Sequence, residues 1–503
     1  MQASRHLSRI VLTIALLGWS LLPVMGRAQT LPDQLQARLK TWYRSASRTA
    51  PGKWGIAIAD QEGEMLWSVK PDQELIPAST VKLLTTGFAR TVLGSDARRS
   101  TRVVGSGRLE EGTGEWIGRW ALELNGDPSL ENPSGEGPRL DDLARQLAIV
   151  GVRRLTGPLE VISADGPADA RYPLVWSRAN WGSIYAPLIG PVTLHENMVW
   201  LTVRPGPKIG ARAVLDETSP AGLTALVDVH ATTAGGWGSR LRLKRMADGG
   251  WLITGRIGIR ASARRLVSVA SDPKAVLAAA WAQALEQAGI EWSRTPPKIT
   301  TEDDPTQVLA EVTSAPLDSL ASEINRRSLN IGAELLLQWA GGRDRGPELL
   351  TQHVERVAGV SGGVHLVDGS GLSHQDRMTP ATFISYLARF PNTPAGRNFP
   401  LLLPANGEGT LRRLGSGLPT EGVVHAKTGS LSGVSTVVGY LGRRDGVLLV
   451  SLMYNGGRPK TARRAQWSLF RLLGADGATI PTDSTMEDSD SEELGGEAVE
   501  PES

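Results

Sequence analysis

Three short stretches of this sequence carry hydroxyls and amines at spacings that could do nucleophilic chemistry. The first is Ser79-Thr80-Val81-Lys82. On a helix, positions i and i+3 share a face one turn apart, so the Ser79 hydroxyl and the Lys82 amine would meet. A neutral amine there can take the hydroxyl proton, and a helix N-terminus favours negative charge developing near the serine. Alone the pattern is weak. With ten lysines in the chain about one Ser-x-x-Lys is expected by chance, and a second does occur at Ser271-Asp272-Pro273-Lys274. That copy has a better structural reading, with Asp272 as N-cap and Pro273 at the first helical position. Ser79 by itself also fits an N-cap.

Lys427-Thr428-Gly429 is rarer, expected by chance about a tenth of a time or less. On an edge strand facing the helix, Lys427 can bind a carboxylate while Thr428 and Ser430 offer hydroxyls. Gly429 lets a ligand approach the backbone closely. The bland alternative is a strand end with a solvated lysine. The third piece, Ser328-Leu329-Asn330, precedes the apolar run Ile331–Trp339. N-capping is its default reading, and its weight comes from lying between the other two.

These residues need elements to hold them. Trp54–Ala59 and Met65–Val69 flank the polar turn Gln61-Glu62-Gly63-Glu64, a hairpin signal. After Pro77, Ser79–Leu93 changes to a helical apolar pattern. From about residue 100 to 297 the chain becomes short β-like runs (Arg102–Leu109, Trp116–Leu124, Met198–Val203, Arg240–Arg245, Trp251–Ile259), with little strong helix before Asp272–Ala288. Leu317–Trp339 returns to helix and stops at Gly341-Gly342. Val423–Thr428, Val434–Leu441 and Val447–Tyr454 read as three strands, and Pro459–Leu473 as a final amphipathic helix. The expected architecture is one discontinuous α/β domain, residues 29–99 and 298–476, split by a β-rich insertion over 100–297.

Composition excludes other chemistry. The chain has 503 residues, no cysteine and seven histidines without tight ligand spacing, so thiol catalysis, disulfides and Cys-ligated metals are removed and no cofactor or metal is expected. Residues 1–28 read as a cleaved secretory signal, with Arg5 and Arg9, the apolar run Ile10–Met25, and Gly26-Arg27-Ala28. Residues 477–503 hold nine carboxylates and no Lys or Arg, and are expected to be a disordered acidic tail. Removing the tail's nine negative charges and the leader's three positive ones from the chain's net +2 leaves +8 on residues 29–476. That mildly basic body suits anionic polymeric surroundings, and the overall balance argues against nucleic acid as a partner.

Together and in this order, the three motifs are those of the penicillin-recognising serine acyltransferases. Further stretches narrow the likeness: Asp368-Gly369-Ser370-Gly371-Leu372-Ser373 with Thr379-Pro380, Leu403-Pro404 with Gly407-Glu408-Gly409-Thr410-Leu411, and Lys427-Thr428-Gly429-Ser430-Leu431. So do Asn325-x-x-Ser328-x-Asn330-x-x-Ala333-Glu334, Gly126-Asp127-Pro128-Ser129-Leu130, and Tyr185-Ala186-Pro187 leading to Glu196-Asn197. From about residue 32 to 473 the chain resembles the D-alanyl-D-alanine carboxypeptidase/endopeptidase family, the class C low-molecular-mass penicillin-binding proteins. The resemblance implies the penicillin-binding-protein/β-lactamase-like transpeptidase fold, an antiparallel sheet flanked by helices, here split by the large insertion.

It further implies a periplasmic serine DD-peptidase acting on peptidoglycan stem peptides, inhibited by β-lactam antibiotics, with at most loose contact to a membrane surface. Carried over residue by residue, Ser79 resembles the acylated nucleophile, Lys82 its general base and Ser328 a proton relay. Asn330 would orient Lys82 and the substrate backbone. Lys427, with Thr428 and Ser430, would hold the terminal carboxylate, and the N–H groups of Ser79 and Ser430 would form the oxyanion hole. The recognisable departure is Leu329, where relatives often have a polar residue.

Other residues carry blander expectations. His425 shares the face of Lys427 and is weighed mainly as a strand-surface histidine. Asp368 is expected to shape a turn, Trp176 and Trp181 to pack, and Arg326-Arg327 to form a solvated face. Two competing functions are a β-lactamase and a non-catalytic wall scaffold. The absence of a Glu-x-x-Leu-Asn segment between Ser328 and Lys427, with the long insertion, argues against the first. The intact motifs argue against the second.

Overall fold

The computed structural model describes residues 31–134, 136–296, 305–414, 417–420 and 422–480. The expected leader and the acidic run from residue 481 onward lie outside the described residues.

The C-terminal apolar runs form three antiparallel strands, Val424–Leu431, Val434–Arg443 and Gly446–Asn455. Lys53–Ala59 pairs with the last of them, Ile56 opposite Leu452, and Met65–Val69 completes a five-stranded sheet. Period-two alternation lets this sheet serve two cores. Ile56 and Ile58 face a layer built on the helices Asp33–Thr49 and Pro459–Leu473, with Leu39, Trp467 and Phe470 buried there. Ala57 and Ala59 face the opposite layer, made by Val81–Leu93, Gly346–Ala358 and Pro380–Arg389. With both faces covered, Val434–Arg443 is buried along nearly its whole length, as a continuous apolar run requires. The expected split sheet is therefore present.

The insertion carries three further sheets around one core that includes Trp120, Trp251 and Trp281. Its six-stranded sheet differs from the expected border. Gln307–Thr313 pairs with Ser100–Glu110, so the chain leaves the inserted sheet only after Thr313, not near residue 298. A helix at Leu140–Ile149 also escaped the sequence reading. Its four buried residues, Leu140, Leu143, Ala144 and Leu147, keep helical spacing over only ten residues, a short signal among Gly and Pro. At the other end, Ala478 and Ile480 pack on the edge of the five-stranded sheet, with Ile480 N–H donating to the Gly422 carbonyl. The fold thus extends past residue 476.

The largest local departure lies at the second motif. The expected helix Leu317–Trp339 is two helices, Leu317–Arg327 and Asn330–Gly341, broken at Ser328 in a left-handed conformation (φ 60°, ψ 44°). No glycine or proline marks the break. Ser271–Lys274, by contrast, is the expected cap: Asp272 Oδ1 accepts from the N–H groups of Lys274 (3.0 Å) and Ala275 (3.1 Å), with Pro273 opening the helix.

Candidate active site

Ser79 lies in a single 3-10 turn, Ala78–Thr80, that feeds the helix Val81–Leu93. Ala78 before it is held at φ 51°, a left-handed value that few non-glycine residues adopt. The turn is pinned through one carbonyl: Pro77 O accepts from Thr80 Oγ1 (2.7 Å) and from Thr436 Oγ1 of the sheet (2.6 Å). The helical i, i+3 spacing then brings Lys82 Nζ to 3.0 Å from Ser79 Oγ.

Lys82 is fully buried. Its amine donates to Asn330 Oδ1 (2.6 Å) and to the Ser370 carbonyl (2.6 Å). All three partners are uncharged, and burial pushes the Lys82 amine down to about 7, against the opposing pull of Asp368, Glu334 and Asp376. Asn330 is itself oriented by the insertion, since its Nδ2 donates to the Tyr185 carbonyl (2.7 Å).

The Ser370 carbonyl is aimed by buried carboxylates. Glu334 Oε1 accepts from the N–H groups of Gly369 (3.1 Å) and Ser370 (2.9 Å). Asp368 accepts from Gly371 N–H (2.6 Å), Ser373 N–H (2.8 Å) and the Trp176 indole of the insertion (3.1 Å). Asp368 is thus the turn-shaping residue expected, and Trp176 a packing residue that also donates. Burial raises the carboxyls of Glu334, Asp368 and Asp376 above their ordinary range. This loop presses on the serine turn at Gly371 (φ 71°), where a side-chain carbon would lie 2.0 Å from the Ala78 carbonyl oxygen.

Lys427, also fully buried, places its amine 2.9 Å from Ser328 Oγ and 3.0 Å from the Thr428 carbonyl. Burial first, then the neighbouring Lys82 and Arg463, hold its amine well below the usual lysine range. Its strand is the edge of the five-stranded sheet, as expected. The strand meets the serine turn at Gly429, where an added carbon would stand 2.2 Å from Thr436 Oγ1 and 3.0 Å from Ala78 Cβ. Only glycine permits that approach.

Lys82 therefore touches both Ser79 and Asn330, Lys427 touches Ser328, and the Ser328–Asn330 turn joins the two groups. Thr428 is buried and Ser430 exposed at the strand end. His425 faces the chain instead, with Nδ1 3.2 Å from the Leu403 carbonyl.

Two residues were not found from sequence. Arg463 donates to the carbonyls of Gly429 (2.5 Å) and Thr436 (2.9 Å) and to Ser430 Oγ (3.2 Å), fastening the strand end. An arginine on the same helical face as buried Gln466 and Trp467 is the signal that could have flagged it. Arg327 corrects the expected solvated face: it pairs with buried Glu196 of the insertion (2.5 and 3.0 Å), leaving only Arg326 exposed.

Comparison with known proteins identifies the family. Residues 38–473 match the D-Ala-D-Ala carboxypeptidase 3 (S13) family. The chain is 29% identical over 430 residues to a D-alanyl-D-alanine carboxypeptidase of Actinomadura sp. (strain R39), covering 80% of this chain and 77% of that one. It is 24% identical over 428 residues to a penicillin-sensitive carboxypeptidase A of Dictyostelium discoideum, covering 77% and 79%. Among solved structures, penicillin binding protein 4 from Haemophilus influenzae shares the fold, with a TM-score of 0.68 at 19% identity, covering 86% of this chain and 98% of the other. The match over nearly all the described residues places the chain in the D-Ala-D-Ala carboxypeptidase 3 (S13) family of serine peptidases.

Proposed function

We propose that this protein is a serine DD-peptidase that removes terminal D-alanine from peptidoglycan stem peptides through an acyl-enzyme on Ser79. It cleaves D-alanyl cross-links by the same chemistry and is acylated by β-lactams, which leave slowly. We place its work in the periplasm, after removal of residues 1–28. The observation that carries the reading is the coordination of Lys82. A neutral amine has two N–H donors and one lone pair. Asn330 Oδ1 and the Ser370 carbonyl accept the two donors, so the lone pair is left for the Ser79 hydroxyl.

In that arrangement Ser79 Oγ attacks the carbonyl carbon of the D-Ala-D-Ala bond as its proton passes to Lys82 Nζ. The oxyanion is met by the N–H groups of Ser79 and Ser430, donors that typically contribute about 3–4 kcal/mol each. The C–N bond then breaks, and the departing amine takes a proton through Ser328 Oγ, which is backed by Lys427. Water hydrolyses the ester with Lys82 as base. Lys427, Thr428 and Ser430 hold the terminal carboxylate, and Asn330 orients the substrate backbone. Penicillin binding is supported by the likeness to the Haemophilus influenzae protein, which has also been solved in complex with a β-lactam.

The test is the intact mass of the mature protein after brief exposure to penicillin, beside a Ser79→Ala variant. One stoichiometric adduct on the native chain, absent from the variant, is expected, together with D-alanine release from a D-Ala-D-Ala peptide. Rapid penicillin hydrolysis without an adduct would instead identify a β-lactamase. A folded native chain with neither adduct nor hydrolysis would leave a wall scaffold.

A further inference from the structure

The insertion presents a second surface whose chemistry the proposed peptidase reaction does not use. Ser239–Arg245 and Trp251–Gly258 are antiparallel neighbours, with Arg240 opposite Arg256, Arg242 opposite Thr254 and Lys244 opposite Leu252. The alternate residues Leu241, Leu243, Trp251, Ile253 and Ile257 belong to the core of the insertion, so the cationic set shares the outer face. Arg240, Arg242, Lys244 and Arg256 are exposed, and among the described residues none of the four forms an ion pair. Like charges directly opposite each other on a sheet are destabilising, and Arg240 and Arg256 stand in that relation with no ion-pair partner among the described residues. The three guanidinium groups line a groove of about 460 Å³ with Gly238, Thr254 and Gly255. The carboxylate of this face, Asp228, lies away from them, in the Lys244–Leu252 row.

At the arginine end two loops project. Trp237 is 70% exposed and Ile209 is 64% exposed. Their loops touch, since a methyl on Gly235 would stand 3.8 Å from Ile209 Cδ1. Backbone hydrogen bonds tie them to the sheet: Gly210 N–H donates to the Thr233 carbonyl and Arg260 N–H to the Gly236 carbonyl. A large aliphatic and an indole beyond a rim of unpaired arginines match the interface of a bilayer. There an indole sits at headgroup depth, an aliphatic side chain enters the acyl boundary, and cations meet lipid phosphates. A hydrated glycan or peptide polymer would use the cations but offers Ile209 no apolar medium.

We propose that this face docks the protein on an anionic phospholipid bilayer, with Arg240, Arg242 and Arg256 holding headgroup phosphates and Trp237 and Ile209 inserted. The proposal does not depend on the role given to Ser79.

The experiment is co-sedimentation of the mature protein with vesicles of phosphatidylcholine alone and of phosphatidylcholine mixed with phosphatidylglycerol. Binding is expected to the mixed vesicles only and to weaken as salt is raised. The triple variant Arg240→Gln/Arg242→Gln/Arg256→Gln should bind roughly a hundredfold less tightly. Trp237→Ser with Ile209→Ser should weaken binding in a way that added salt does not reproduce. Far-UV circular dichroism and the urea-unfolding midpoint of each variant report that it is folded, and both should be unchanged. Equal vesicle binding by native and triple-variant protein, or none by either, overturns the proposal. Loss of binding to isolated peptidoglycan in the triple variant, with no vesicle binding by the native chain, would assign the face to the wall polymer instead.

Discussion

At the scale of single residues, the proposed mechanism makes the protonation of Lys82 decide when the site can work. Its amine is buried among uncharged partners and titrates near 7, well below the ordinary lysine value of 10.5. Desolvation of the cation outweighs the attraction of three nearby carboxylates, whose own charges burial also disfavours. A depressed amine is neutral above its pKa, so the form the proposed mechanism needs dominates above about 7 and is lost below it. The second-order rate of penicillin acylation should therefore rise about tenfold per pH unit on the acid side and level off above about 7. Asn330→Asp sharpens the test, because a carboxylate in place of the amide would stabilise the ammonium. The acid limb should move up by about 1–3 units. A limb that stays near neutrality in that variant would show that another group titrates.

At the scale of elements, Ser328 couples backbone strain to the proton relay proposed for it. It ends one helix and precedes the next in a left-handed conformation, which costs a residue with a Cβ roughly 1–2 kcal/mol. That bend directs its hydroxyl to Lys427. Comparing Ser328→Gly with Ser328→Ala separates the two effects. Both remove the hydroxyl and should lower D-alanine release at least about a hundredfold. The glycine variant should be the more stable of the two by about 1 kcal/mol in urea unfolding, since only alanine retains the strained Cβ. Equal stabilities would mean that the bend is not strained. Elements of this site differed in how far sequence disclosed them. The strands around Ile56, Val437 and Val450 were legible because their burial is continuous and local. The meeting of Ser79 with Lys82 was legible because helical spacing dictates it. The break at Ser328 was not, because tertiary contacts impose it: the flanking Arg327 and Asn330 are each held by the insertion, and the chain around Ser328 has no Gly or Pro. The same blindness applies to Glu196 with Arg327 and to Trp176 with Asp368, pairs whose partners lie 131 and 192 residues apart.

At the scale of the whole molecule, the insertion acts as one wall of the proposed catalytic site. Three of its contacts end on residues in or beside the proposed site: Tyr185 on Asn330, Trp176 on Asp368 and Glu196 on Arg327. An apolar cluster of Trp176, Ala186 and Ile189 with Ile331, Leu335 and Leu372 closes the same boundary. The Glu196 clamp is the one most open to a clean substitution. Glu196 is 2% exposed and its partner Arg327 29%, so the pair is largely withdrawn from water and neither partner can be replaced by solvent without cost. Glu196→Gln preserves shape while removing the charge, and should cost about 1–3 kcal/mol in urea unfolding. The contact between Asp169 and Arg343 is the control, because Asp169 is 50% exposed and an exposed pair contributes about 0–1 kcal/mol. Asp169→Asn should leave both stability and acylation near native. In Glu196→Gln the acylation rate should fall several-fold along with stability, because Arg327 precedes Ser328 and fixes the bend that presents its hydroxyl. A loss of stability with acylation unchanged would separate the two, and would make the insertion a brace for the fold with no part in shaping the site.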